Sequence, residues 1–68
     1  MSNNTYINET DGTCATVTKV SKGFVVCFID INDYAPDGIV ESRIFQEERE
    51  ANRKARQWVW GVITTEEI

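Results

Sequence analysis

The chain has 68 residues, with seven basic and eleven acidic side chains and no histidine. That length allows one domain, and a core of this size rarely supplies more than about 3–5 kcal/mol, so small chains often gain the rest from disulfides, a metal or a partner subunit. Cys14 and Cys27 are too few for a disulfide framework, and without histidine a four-ligand zinc site cannot be assembled; the expectation is no metal, no cofactor and a partner subunit.

Met1-Ser2-Asn3-Asn4-Thr5 has neither a basic stretch nor an apolar run, so no signal peptide is expected there. Nowhere does the chain approach the ~18 apolar residues of a membrane span. The glycosylation sequons at Asn3 and Asn8 therefore read as chance matches. A cytoplasmic setting is expected (the host cytoplasm if the chain is viral), with both thiols reduced. Residues 1–12 read as a flexible polar arm ending in a turn at Asp11-Gly12, with a short strand around Tyr6-Ile7 as an option.

Thr13 to Val20 is rich in Thr and Val and suits a strand. Ser21-Lys22-Gly23 then reads as a three-residue hairpin loop with Gly23 in the left-handed position. Phe24 to Ile31 is the strongest strand. Asn32 to Gly38 is a loop punctuated by Pro36 and Asp37-Gly38. Ile39 to Phe45 is a third strand of mixed polarity, as suits a sheet edge. Gln46 to Trp60 reads as a helix with acidic residues early and basic residues late, which complements its dipole, and Gly61 stops it. Val62 to Ile68 is a short C-terminal strand or an acidic tail. The expected fold is α+β: a three-stranded antiparallel sheet followed by one helix on one face (β-β-β-α). Residues 13–62 form the domain, flanked by the arm (1–12) and the tail (63–68).

The loop over 21–23 implies a register that sets Val20 opposite Phe24, Thr18 opposite Val26 and Thr16 opposite Phe28. The other face then carries Ala15, Val17, Val25, Cys27 and Ile29. Cys14 and Cys27 fall on opposite faces. On the helix, Ala51, Ala55, Trp58 and Val62 share one side, with Val59 at its edge and Ile44 joining if the helix starts early. That side is expected to cover the Ala15, Val17, Val25, Cys27, Ile29 face. Phe24, Val26 and Phe28, with Val20 beside them, would remain open. A contiguous apolar patch of that size calls for a partner, and two copies packed sheet to sheet are the simplest one. The swap, with the helix on the Phe face, leaves the Val-Cys-Ile face open instead and calls for a partner equally. A second candidate surface is the helix stripe of Arg49, Arg53, Arg56 and Trp60, at spacing i, i+4, i+7, i+11. It reads as a solvated charged face or as a contact for an acidic protein or a phosphate, with Trp60 as anchor.

Lys22-Gly23-Phe24 resembles the Lys-Gly-Phe start of the sheet motif in cold-shock domains and RNA-recognition motifs, which implies bases stacked on open-face aromatics. Val25 and Val26 depart from that motif. The β-β-β-α order also resembles AP2-type and double-stranded-RNA-binding domains, in architecture only. Asp30 to Glu41 spans twelve positions like a calcium loop but carries Tyr34 and Ala35 where an oxygen ligand and glycine are needed, so it reads as a strand connection. With no histidine base and both thiols in apolar strands, no catalysis is expected. The expected function is a small non-enzymatic protein-interaction module: a regulator, inhibitor or assembly factor, homodimeric, of the compact acidic kind found among phage accessory proteins. The alternative is a nucleic-acid-binding module, which the charge of −4 disfavours.

Overall fold

The computed structural model describes residues 4–32 and 38–68. Four antiparallel strands form one sheet in chain order: β1 (Asn4–Asn8), β2 (Thr13–Val20), β3 (Gly23–Asp30) and β4 (Ile39–Phe45). One helix, α1 (Glu48–Val59), follows and lies mainly over β2 and β3. A short 3-10 turn (Thr65–Glu67) ends the chain. The fold is thus α+β with one strand more than the three expected. The option at Tyr6-Ile7 is the fourth strand: residues 4–8 of the expected arm are built into the sheet, and residues 9–12 form the turn into β2. The loop expected over 32–38 falls largely on residues 33–37, outside the described residues, as do residues 1–3.

The hairpin between β2 and β3 differs from expectation by one residue. Val20 pairs with Gly23, so the loop is Ser21-Lys22 alone. Val17 therefore faces Val26 and Ala15 faces Phe28, while Thr16 faces Cys27 and Cys14 faces Ile29. A slip of one residue turns every side chain of β3 to the other face. Gly23 is needed for a different reason from the one its sequence position suggests. Its φ is +140°, and a Cβ there would overlap the Phe45 carbonyl oxygen. The glycine starts a strand and lets β4 approach; it does not close the turn.

The core lies between the sheet and α1. Ala15, Val17, Val26 and Phe28 meet Ala51, Ala55, Trp58 and Val59, all buried. The alanines leave room for the sheet, and Trp58 meets Phe28 edge-on, with ring centroids 5.3 Å apart and planes at 69°, a favoured aromatic geometry. Tyr6, Phe24, Val40, Phe45, Ile63 and Ile68 close its margins. Ile44 belongs to β4, not to the helix, and Val62 lies exposed beyond the helix end.

Both ends of the chain are tied to α1. Among the described residues Asn8 is the one buried polar side chain. Its amide donates to Asp11 Oδ2 (3.0 Å) and to the Val59 carbonyl (3.2 Å), and Thr13 Oγ1 donates to that same carbonyl at 2.9 Å. The last helical carbonyl thus finds partners on β1 and β2, satisfying an acceptor that a helix end otherwise leaves unpaired. Tyr6 OH donates to Asn52 Oδ1 at 2.7 Å. At the other end Trp58 Nε1–H donates to Thr65 Oγ1 at 3.1 Å. Residues 63–68, expected as a tail or strand, are instead a capped turn: Thr64 and Glu67 form a capping box, and Ile63 and Ile68 pack on the core.

Candidate functional site

Two surfaces have the composition of a contact site. The first is the sheet face turned away from α1. The pairings lay its side chains out in rows across the strands. Ile7, Cys14, Ile29 and Ile39 form one row. Thr5, Thr16, Cys27 and Ser42 form the next, and Thr18, Val25 and Ile44 the third. None of these is charged, although the chain has 18 ionisable acidic and basic side chains in all (7 + 11). The charges of the strands, Lys19, Asp30, Glu41 and Arg43, alternate onto the helix side or its flanks. Ile7 is 57% exposed and Ile44 55% exposed, and Ile39 is also exposed. The middle row thus carries only small Thr, Cys and Ser side chains, between one row rich in isoleucine and one that holds Val25 and Ile44. At the end of the face Ile7, Cys14 and Ile31, with Glu9 at the margin, line a groove of about 220 Å³.

This replaces the sheet face expected from the sequence. Val26 and Phe28 are fully buried under α1, and Phe24 is half-buried at the margin of the same core. Of the four residues expected on an open Phe face, Val20 alone is on the uncovered side, at its end. The helix covers the Phe face, and the Val-Cys-Ile face is the open one. The physical reason is the one-residue shift of the hairpin. With Phe28 buried, the base-stacking surface that the Lys22-Gly23-Phe24 resemblance implies is not present on the open face. Cys14 and Cys27 share the open face on diagonal positions, contrary to expectation, and both are free thiols. Diagonal neighbours sit roughly 7–8 Å apart, beyond the reach of a disulfide. Burial pushes the Cys14 thiol pKa above its ordinary value, which lowers its reactivity.

The second surface is the outer side of α1. Arg49, Arg53, Arg56 and Trp60 are all exposed. Arg53, Arg56, Gln57, Trp60 and Val62 line a shallow groove of about 320 Å³ at the C-terminal end of the helix. Arg49 lies on the same side but not in the groove. Arg53 pairs with Glu50 at 2.8 Å. Among the described residues the guanidinium groups of Arg49 and Arg56 have no ion-pair or hydrogen-bond partner. The groove wall is set by the helix stop. Gly61 takes a φ of +78°, the left-handed cap that glycine favours, and the Val62 N–H then returns to the Gln57 carbonyl at 2.7 Å. Helix periodicity made the stripe visible in the sequence. The share of Val62 in it was not visible, because its expected place was the buried side.

Among the described residues no three Cys, Asp or Glu side chains are grouped to hold a metal, and no helix is long and apolar enough to cross a membrane. Comparison with protein-family models, with curated proteins and with solved structures finds no match to this chain.

Proposed function

We propose that this chain is a non-enzymatic protein-interaction module, a regulator, inhibitor or assembly factor, and that it works as a homodimer joined through the open sheet face. The observation that carries the reading is the absence of charge from three successive rows of that face. Depletion of charged residues marks the centre of protein interfaces. Two copies of charge −4 repel one another, and an uncharged contact face keeps that repulsion to the longer-range charges that salt screens.

Size bounds the strength of the pairing. Four strands about 4.8 Å apart and some seven residues long give a face of roughly 19 by 23 Å. Two such faces, taken as flat, remove roughly 900 Å² from water, the size of a weak, transient interface. Under two-fold symmetry the row of small side chains in one copy lies against the same face of the other.

Sedimentation equilibrium over a concentration series tests this. The expected result is a dimer at about 100 µM that Ile44→Asp and Ile7→Asp convert to folded monomers. A wild-type chain that stays monomeric at about 1 mM, or a dimer indifferent to both substitutions, refutes the pairing.

A further inference from the structure

The groove at the end of α1 lies on the far side of the molecule from the open sheet face and plays no part in that pairing. We propose that it binds a short acidic segment of a partner protein, with carboxylates on Arg53 and Arg56 and an apolar side chain against Trp60 and Val62.

Three observations carry this. The Arg56 guanidinium has no partner among the described residues, and the Arg53–Glu50 pair is exposed, the kind of pair worth little in water and readily exchanged. Trp60 is 57% exposed and Val62 is 67% exposed, and neither is part of the core. Finally, the groove is preformed: the left-handed Gly61 and the bond from Val62 N–H to the Gln57 carbonyl hold Val62 at the helix end. A preformed wall lowers the ordering cost of binding. An indole beside guanidinium groups is the composition of an interface anchor.

Charge decides between partners. A duplex carries one charge per ~1.7 Å of its axis, so it would extend past the groove over an acidic protein in which Glu50 already lies against Arg53. A peptide segment with two or three carboxylates ends where the arginines end.

The probe is a fluorescein-labelled glutamate-rich peptide with a central leucine. Its controls replace the glutamates by lysine or the leucine by serine, and single- and double-stranded DNA oligonucleotides are titrated alongside. Fluorescence anisotropy at low salt is expected to show binding of the first peptide, weakened about tenfold or more by Arg56→Glu and by Trp60→Ala. Both side chains are exposed, so both variants retain the fold, which circular dichroism checks. The serine control binds more weakly than the leucine peptide, and the lysine control does not bind. No binding, binding that ignores both substitutions, equal binding of the serine peptide, or tighter binding of DNA with the same dependence on Arg56 overturns the proposal.

Discussion

Val25 and Val26 are neighbours of the same type in the same strand, and they differ only in the face they occupy. Val26 is fully buried under α1, whereas Val25 sits half-buried on the open face. Truncating either to alanine loses the same strand propensity, so that contribution cancels in the comparison. At Val26 the change removes two buried carbons, about 1.6 kcal/mol by transfer, and leaves a cavity that adds about 1 kcal/mol. Val26→Ala is therefore expected to cost about 2–3 kcal/mol and Val25→Ala less than about 1 kcal/mol. For a chain this short that separates the midpoints of thermal unfolding by roughly 8 °C or more. Urea unfolding followed by tryptophan emission reports it, since Trp58 packs on Phe28. The chain should be dilute enough to be monomeric, or loss of the sheet pairing would enter the cost at Val25. Equal costs, or a larger cost at Val25, would refute the register and with it the identity of the open face.

Gly23→Ala is expected to destabilise by about 2 kcal/mol or more, because the new Cβ meets the Phe45 carbonyl at a φ that only glycine adopts easily. Gly61→Ala, where a Cβ meets nothing within 4 Å, should cost only the left-handed penalty of about 1–2 kcal/mol; chemical denaturation of both variants shows whether the order holds. Asn8→Ala removes donors to Asp11 and to the Val59 carbonyl and should cost about 1–2 kcal/mol, with amide exchange accelerating first in β1. The Cys14 thiol, held above its ordinary pKa of 9.0 by burial, should alkylate more slowly at pH 8 than a small reference thiol. The unfolded chain ionises this thiol first, so the contribution of Cys14 to stability is complete below pH 9.0 and falls as pH rises from there through the folded value; a rise in stability over that window would contradict the direction of the shift.

The helix was legible because its signals agree with one another. Ala51, Ala55 and Trp58 recur at helical spacing, the acidic residues precede the basic ones, and Gly61 closes the end. The face of β3 was not legible, because both of its faces are apolar. Phe24, Val26 and Phe28 alternate with Val25, Cys27 and Ile29, so either set can fill a core, and only the loop length decides. Gly23 misled in that choice. A glycine after Ser-Lys resembles a turn closer, while its real constraint comes from Phe45, twenty-two residues later (45 − 23). Strand β1 was hidden for a related reason. Asn4 and Asn8, at its two ends, have low strand propensity and leave only Thr5-Tyr6-Ile7 as a local signal, and the segment is held by tertiary bonds from Tyr6 and Asn8 to the helix, which leave no trace in local composition.

The two proposed surfaces have a joint consequence. Sheets packed face to face lie about 10 Å apart, and each helix, about 10 Å across, sits on the outer side of its own sheet. The grooves of a pair then open on opposite flanks, roughly 30–40 Å from each other by those dimensions, and the pair is bivalent. Linked sites gain avidity only where a target can span them or is dense enough to engage both. On a surface densely coated with the acidic peptide, the wild-type chain should therefore dissociate at least about tenfold more slowly than Ile44→Asp. In solution, against single peptides, the two should bind alike, because Ile44 is on the other side of the sheet from the groove. Equal dissociation from the dense surface, with dimers confirmed by sedimentation, would show that the two grooves do not act together. A difference in solution affinity would show that the groove and the sheet face are coupled within one copy.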